Sequence, residues 1–231
     1  MFPLVNDVCV AGVPNSSTLL RGLVAYWKMD ETSGDRVDIH RGHDLTPSTV
    51  GNAAGKLGNA ATLTKAGTSS LVNTDSAFDF GVNDVEVAGW VKLTIAGAQE
   101  FINTHSAAAA SGFYIVKDAT DAIVVFLVDG AGAAMTKAWS PVVDTWYWIS
   151  LAMDRDGLMT LRIDNAVHQT VSIAAFSSSV SGLPGVQFGR LAVPTYADCD
   201  FDEWGFWNRL LTTTERAKLY SGGTGRTYPF L

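Results

Sequence analysis

The sequence predicts an all-β fold, either a sandwich or a barrel, with one short helix near the C-terminus. From Leu23 onward, runs rich in Val, Ile, Trp, Tyr and Phe alternate with turn signals at short spacing. The pairs Asp129-Gly130, Asp156-Gly157 and Asp164-Asn165 are typical of hairpin turns. No helical periodicity appears before residue 212. These three observations together favour packed antiparallel strands.

Residues 1–21 are predicted to form an extended N-terminal arm, and residues 22–231 the sandwich itself. Pro3 and Pro14 interrupt the first stretch, and residues 15–18 are a loop signal. Short apolar pieces in the arm predict docking onto this domain or onto a neighbouring subunit. The arm residues predicted to contact a partner are Phe2, Leu4, Val8 and Val10.

The strand-like runs follow the arm in a regular succession. The two runs on either side of Asp156-Gly157 predict a hairpin, and Asp164-Asn165 turns the chain into a third strand. The stretch 96–112, which contains an Ala/Ser tract, is predicted to be a surface loop. The predicted strands cover residues 23–29, 85–95, 112–118, 122–130, 145–154, 158–164, 168–176 and 186–191.

The C-terminal segment predicts a short capped helix. Thr212 stands at an N-cap position with Glu215 three residues later, which is the pattern of a capping box. Leu211 precedes the cap as a hydrophobic staple, Leu219 gives the helix an apolar face, and Gly222-Gly223 ends it. A helix this short needs packing partners, so we expect it to lie on an edge of the sandwich.

Composition excludes some classes of function. Charged residues make up 17% of the 231 residues, below the usual ~25%, while hydrophobic residues make up 47%. The net charge of −7 argues against a nucleic-acid partner. No apolar run is long enough to span a membrane. The surplus of apolar residues predicts contacts between subunits, and therefore a homo-oligomer.

The first residues and the cysteines indicate the cellular compartment in which the protein folds. The first residues lack the basic segment and the uninterrupted apolar stretch of a signal peptide. We therefore expect folding in a cytoplasm, with Cys9 and Cys199 as free thiols.

Several blocks of sequence, taken in order, resemble the laminin-G-like branch of the concanavalin A-like lectin/glucanase family. The resemblance covers about residues 22–220 and implies a jelly-roll sandwich of two antiparallel sheets, one of them concave. It does not extend to the arm or to the tail after Tyr220. The matching blocks are residues 23–46, 55–63, 85–93, 144–165, 186–190 and 201–220.

An acidic cluster near the C-terminus raises the question of catalysis. Asp198, Asp200 and Asp202 alternate, which places them on one face of a strand, and Glu203 follows. Retaining glycosidases of the resembled fold carry two glutamates and an aspartate on one strand, but no Glu-x-Asp-x-x-Glu pattern is present here. We predict no catalytic residues. Instead, Asp202 and Glu203 are expected to lie at a solvated strand end and tie it to the turn at Asn208-Arg209.

A structural calcium ion is an open alternative for these carboxylates. The resemblance implies such an ion in many relatives, and residues 30–35 offer several oxygen ligands. If this loop meets the last strand, Asp30 and Asp202 would share the ion. His40 and His43 lie three residues apart in a loop without a third ligand nearby, so zinc is disfavoured.

A sugar-binding platform is the remaining candidate site. Most of the seven tryptophans lie within apolar strands and are predicted to be core residues. Trp139 stands in a loop before Pro141 and is the best candidate for an exposed, glycan-contacting ring.

The sequence therefore favours a non-enzymatic binding or architectural protein. The first hypothesis is a virion structural protein, such as a bacteriophage capsid decoration, head-fibre or tail-associated subunit, assembled in the host cytoplasm with other virion subunits. It rests on the lectin-like sandwich, the low charge, the surplus apolar surface and the arm. The alternative is a carbohydrate-binding module that recognises a glycan, for example on a host surface. A glycosidase is the least favoured hypothesis.

Overall fold

The computed structural model describes residues 17–105, 111–130, 132–181, 185–191 and 195–230. It confirms an all-β sandwich of two antiparallel sheets with a single short α-helix in this part of the chain. The strands are β1 Leu23–Trp27, β2 Thr46–Ser48, β3 Gly51–Ala54, β4 Asn59–Leu63, β5 Ser70–Asn73, β6 Val85–Leu93, β7 Gln99–Asn103, β8 Ser111–Lys117, β9 Ala122–Asp129, β10 Gly132–Ala138, β11 Trp146–Met153, β12 Leu158–Ile163, β13 Ala166–Ser172, β14 Val186–Phe188 and β15 Cys199–Trp207. The helix is α1 Thr213–Tyr220.

The two sheets have eight and seven strands. The eight-stranded sheet has the order β13-β12-β11-β6-β15-β4-β3, and β1 pairs with the second half of β15. The seven-stranded sheet has the order β10-β9-β8-β7-β14-β5-β2. Their inner faces enclose the main core, which contains a contiguous group of aromatic rings. These core rings include Trp27, Phe188, Phe201, Trp204 and Phe206.

The predicted hairpins are confirmed. Asp156-Gly157 joins β11 to β12, and Asp129 ends β9 with Gly130 following it ahead of β10. Asp164 and Asn165 join β12 to β13, and their φ angles of 50° and 62° are both left-handed. Asp and Asn tolerate this region better than most residues, which is why this pair forms a two-residue turn.

The predicted loop over residues 96–112 is wrong in its centre. Gln99–Asn103 is strand β7, all five of its residues are buried, and it pairs with β8 and β14. The Ala/Ser tract itself, residues 106–110, lies outside the described residues. Strands β2, β3, β4, β5 and β10 were also not predicted. The sequences of β2 and β3, TPS and GNAA, carry no apolar pattern.

The capping box of α1 is confirmed. Thr212 Oγ1 accepts a hydrogen bond from the backbone N–H of Glu215, and the carboxylate of Glu215 accepts one from the N–H of Thr212. The same carboxylate makes two hydrogen bonds to Arg209, of 2.8 and 2.9 Å. The turn that precedes the helix is therefore tied to Glu215.

The helix covers the outer face of the eight-stranded sheet, whereas the sequence predicted an edge. Tyr220 stacks on Trp90 of β6, with ring centroids 5.8 Å apart. Arg216 makes two hydrogen bonds, of 2.7 and 2.8 Å, to the fully buried Glu86 of β6. A second apolar cluster lies beneath this cover, and its buried members are Leu19, Leu23, Tyr26, Ala88, Trp90, Trp148, Trp207, Leu211, Leu219 and Phe230.

The end of the predicted arm also contributes to this cover. Thr18–Leu20 forms a 3₁₀ turn, Leu19 is fully buried, and its carbonyl accepts a hydrogen bond from Trp207 Nε1 at 2.7 Å. The four predicted partner-contact residues, Phe2, Leu4, Val8 and Val10, lie outside the described residues, as does Cys9. Cys199 is a buried free thiol, as predicted.

No helix in the described ranges is long and apolar enough to cross a membrane.

Candidate binding groove

The outer face of the seven-stranded sheet is the more open side of the sandwich. Along β8 and β9, buried residues alternate with half-buried ones, which is the pattern of strands with one covered and one open face. All residues of β15, in the eight-stranded sheet, are buried on both faces. The seven-stranded sheet therefore has an outer face that is open to a ligand.

Two adjacent cavities lie near the β2 edge of this sheet. The first has a volume of about 510 Å³ and the second about 350 Å³. Both are lined by Thr68 and Tyr196, so the two cavities adjoin there. We refer to the two cavities together as the binding groove.

Small polar groups line the first cavity. Thr46 and Ser48 of β2 pair in register with Val72 and Ser70 of β5, which holds their side chains on rigid strands. The side-chain amide of Asn73 donates to a backbone carbonyl of the same wall. Other polar side chains lining this cavity are those of Asp44, Thr74 and Arg190. The groups therefore include hydrogen-bond donors and acceptors as well as one guanidinium cation.

The second cavity contains a buried acid. Glu100 of β7 pairs with Val116 of β8 and is 8% exposed. Burial raises the pKa of Glu100, while a hydrogen bond from the Thr195 side chain and the charge of Lys65 lower it. The Nζ of Lys65 donates to the carbonyl of Ala98 at 2.5 Å. The second cavity is thus lined by charged groups, hydroxyl groups and apolar groups.

Tyr196 stands where the two cavities adjoin. Its backbone forms an antiparallel bridge to Arg190, and its side chain is half-buried. A phenol combines an apolar ring with a polar tip, so it can contact both the ring face and the hydroxyls of a sugar. The groove therefore has its aromatic residue at the centre and its charged residues in the two lobes.

Asp202 and Glu203 are buried on the closed face, so the predicted solvated strand end is wrong. Asp202 Oδ2 accepts from the N–H of Leu57 at 2.8 Å, and Glu203 Oε2 accepts from the hydroxyl of Tyr26 at 2.6 Å. The left-handed φ of 52° at Glu203 is a bulge in β15 that turns both carboxylates away from the main core. The turn at Asn208-Arg209 was expected to contact these two carboxylates, but Arg209 donates its hydrogen bonds to Glu215 instead.

The environment of this acid pair favours protonated carboxyls. Burial is the largest cause in both cases and raises the pKa of Asp202 to about 8 and that of Glu203 to about 7. Perturbed acids often mark catalytic sites. The cleft beside Glu203, however, leaves no room for a water molecule, so it has no space for a substrate.

Asp30 and Asp202 both accept hydrogen bonds at the turn between β3 and β4. Asp30 Oδ1 accepts from the N–H of Asn59, two residues after Leu57, and Asp30 Oδ2 pairs with Lys28 at 2.6 Å. Within the described ranges, no group of three or more His, Cys, Asp or Glu side chains is arranged to hold a metal. A shared calcium ion stays a prediction.

Trp139 is not the exposed ring that the sequence predicted. It is 9% exposed and belongs to the main core. Its indole packs edge-on against Phe101 and Tyr147, with centroids 6.2 and 5.3 Å away. Neither Tyr196 nor Glu100 was singled out in the sequence, since neither belongs to a motif and their proximity depends on the pairing of distant strands.

Comparisons with known proteins agree with the fold and give no family. No protein-family model matches the chain, and no curated protein does. The predicted laminin-G-like assignment is therefore neither supported nor replaced by another family.

Solved structures do share the fold. The binding domain of Paraclostridial Mosquitocidal Protein 1 has a TM-score of 0.72 at 14% identity, over 84% of this chain and 50% of that chain. The binding domain of botulinum neurotoxin DC, solved in complex with rat synaptotagmin II, has a TM-score of 0.70 at 8% identity, over 89% of this chain and 52% of that chain. A structure of botulinum neurotoxin type C, whose cell entry is described as dependent upon interaction with two ganglioside molecules, has a TM-score of 0.71 at 10% identity. The match covers 91% of this chain and 53% of that chain.

These similarities extend over most of this chain but only about half of each matched chain. At such low identity they show a β-sandwich of the kind found in toxin binding domains.

Proposed function

We propose that this domain is a non-catalytic carbohydrate-binding module whose ligand occupies the binding groove. The observation that carries the proposal is the pair of adjoining cavities, with Tyr196 between them, on the open face of a rigid sheet. Ligand sites are typically concave and combine apolar surface with a few fixed polar groups. The groove has both features.

The chemistry of the groove suits a ligand rich in hydroxyl groups. The hydroxyls of Thr46 and Ser48 both donate and accept, and the guanidinium of Arg190 donates only. Glu100 in the second lobe supplies an acceptor. A sugar chain that crosses Tyr196 would meet donors and acceptors on either side of an aromatic ring.

The structural neighbours support a binding role for the fold. Each of the three reported above is a toxin or a toxin binding domain, and another neighbour is a neurotoxin binding domain solved in complex with SialylT. Those ligands belong to those proteins. For this chain, the similarity supports the carbohydrate-binding hypothesis over the glycosidase one, in agreement with the closed surroundings of Asp202 and Glu203.

A glycan array with the purified domain tests the proposal, followed by titration of the best ligand. Tyr196→Ala should weaken binding at least about tenfold, which corresponds to ~1.4 kcal/mol. Tyr196→Phe keeps the ring and should retain most of the affinity. Val167→Ala, at a 59% exposed position on β13 of the other sheet, is the matched surface control. Absence of saturable binding to any glycan, or full affinity in Tyr196→Ala, would refute the proposal.

The role as a virion structural protein remains a prediction from the sequence. Its main support is the arm predicted over residues 1–21, of which residues 1–16 lie outside the described residues. Under this hypothesis the chain joins other virion subunits or copies of itself through the arm. Deletion of residues 1–16 should then abolish assembly, measured by light scattering or by electron microscopy of particles, while leaving glycan binding intact. Unchanged assembly would remove the architectural hypothesis.

A further inference from the structure

Arg190 presents an accessible guanidinium group at the wall of the first cavity. The residue follows β14, and its backbone bridge to Tyr196 fixes it beside the aromatic residue of the groove. Its side chain makes no hydrogen bond or ion pair with another described residue. The residue is half-buried, yet none of its nitrogens is among the buried side-chain atoms that lack a partner. These nitrogens therefore keep surface that a ligand can reach.

Several other cations of the described structure are already engaged. Lys65, the cation of the second cavity, donates to the carbonyl of Ala98 and pairs with Asp198 at 3.5 Å. The chain has 23 acidic residues and 16 basic ones, so acids that could neutralise a guanidinium are in excess. Arg190 has no such acid among the described residues, which favours an anion that comes from outside the chain. The engaged guanidinium groups are those of Arg36 and Arg155, which donate to backbone carbonyls, and those of Arg209 and Arg216, which pair with Glu215 and Glu86.

We propose that the first cavity is a subsite for an acidic sugar with a single negative charge, and that Arg190 pairs with its carboxylate or sulfate group. This inference rests on the proposed function and names the ligand class for one lobe of the groove. The cavity volume of about 510 Å³ lies within the usual range of small-molecule sites, ~300–1,000 Å³. A planar guanidinium can donate two parallel hydrogen bonds to such a group, and a charged acceptor makes these bonds stronger than a neutral hydroxyl would.

Asp44, on the wall of the same cavity, limits the charge of the ligand. One of its oxygens accepts from the N–H of Asp38 at 2.8 Å, which holds the carboxylate in place, and its other oxygen is not among the buried partnerless atoms. This carboxylate can accept a hydrogen bond from a sugar hydroxyl, but it repels further negative charge. A phosphate ester, with about −1.5 to −2 charges at pH 7, is therefore disfavoured. An extended polyanion is disfavoured as well, because the chain has a net charge of −7.

The glycan array that tests the proposed function gives the first readout, since acidic glycans should bind better than their neutral parents. Four probes then isolate the charge: methyl glucoside, its glucuronide, and the sulfate and phosphate esters of its primary hydroxyl. They are titrated into the isotope-labelled domain, and the Nε–H signal of Arg190 and the amide signal of Thr46 are followed. The glucuronide, the sulfate ester or both should bind at least about tenfold more tightly than methyl glucoside. The arm that binds identifies the acidic group.

Variants of Arg190 separate its charge from its shape. Arg190→Gln should reduce the affinity for the acidic probe at least about tenfold and leave that for methyl glucoside nearly unchanged. Arg190→Lys keeps the charge without the fork of donors and should give an intermediate affinity. Raising the ionic strength should weaken binding of the acidic probe to the wild type but not to Arg190→Gln.

The control variant is Arg21→Gln, which makes the same change at an exposed arginine that lines neither cavity. It should bind the acidic probe normally. Because the guanidinium of Arg190 has no partner among the described residues, Arg190→Gln should also keep the wild-type melting temperature. Asp44→Asn retains an acceptor oxygen for the N–H of Asp38 and should improve binding of the phosphate ester.

The outcomes distinguish this inference from the proposed function. If Tyr196→Ala abolishes glycan binding while Arg190→Gln leaves it unchanged, the subsite is wrong and the proposed function stands. If no glycan binds the wild-type domain, both are overturned. Equal affinity for methyl glucoside and the two singly charged probes would contradict an acidic ligand, and tightest binding of the phosphate ester would contradict the single charge.

Discussion

The buried acid pair makes a strong prediction about the pH dependence of stability. Asp202 holds its proton up to about pH 8 and Glu203 up to about pH 7 in the folded domain, because burial disfavours their charged forms. In the unfolded chain the same groups release their protons near pH 4. Between these values the folded state binds more protons than the unfolded state. The free energy of unfolding must therefore fall as the pH rises through this window.

The size of the effect follows from the width of the window. One pKa unit corresponds to ~1.4 kcal/mol, and the window spans about four units for Asp202 and between two and three for Glu203. Most of the window lies between pH 5 and pH 8. We expect the acid pair to contribute a loss of at least about 3 kcal/mol over that range, which corresponds to a fall in melting temperature of ~6–12 °C for a chain of this size, measured relative to a variant without the two acids.

Thermal melts at constant ionic strength, read by circular dichroism, measure this loss. The double variant Asp202→Asn, Glu203→Gln has no proton to release, so its melting temperature should change much less between pH 5 and pH 8. The control is Asp35→Asn, Asp156→Asn, which alters two exposed aspartates and should retain the wild-type pH dependence. Equal pH dependence in the wild type and in the acid-pair variant would show that these two carboxyls do not hold protons, and the argument would fail.

Two further predictions concern the closed face. Arg216→Met leaves the carboxylate of Glu86 buried without its cation and should destabilise the domain by ~3–5 kcal/mol in urea unfolding. The control Lys218→Met, on the exposed side of the same helix, should have little effect. A loss of stability in Arg216→Met no larger than in the control would contradict the buried ion pair. If Asp30 and Asp202 share a calcium ion, EDTA should lower the melting temperature and added calcium should restore it, because the carboxylates repel each other without the ion; an unchanged melting temperature would remove the calcium prediction.

Local signals made the hairpins and the helix predictable from the sequence. A capping box needs only Thr212 and Glu215 at the right spacing, because each side chain satisfies the backbone of the other's turn. The turn at Asp164-Asn165 needs only two residues that tolerate a left-handed backbone. The start of the helix and the hairpin turn depend on few contacts with distant segments, so the local sequence determines them.

Burial was harder to predict because it depends on distant segments. Trp139 follows a strand and precedes a proline, as an exposed loop residue often does, yet Phe101 and Tyr147 cover it. Asp202 and Glu203 are charged residue types and were therefore expected to be solvated, but the turn at Leu57 and the hydroxyl of Tyr26 enclose them. The same dependence hid the groove, since Tyr196 and Glu100 meet only through the pairing of the strands.

The two outer faces of the sandwich differ, and the difference separates two possible roles of the chain. One face is covered by α1, by the 3₁₀ turn at Thr18–Leu20 and by the residues around Phe230. The other face keeps the groove centred on Tyr196. Residues 1–16 join the described domain at Ser17, and Leu19 is docked against Trp207 on the covered face. The described chain therefore begins on the face opposite the groove. If the arm carries assembly and the groove carries glycan binding, deletion of residues 1–16 should abolish the first and leave the second intact.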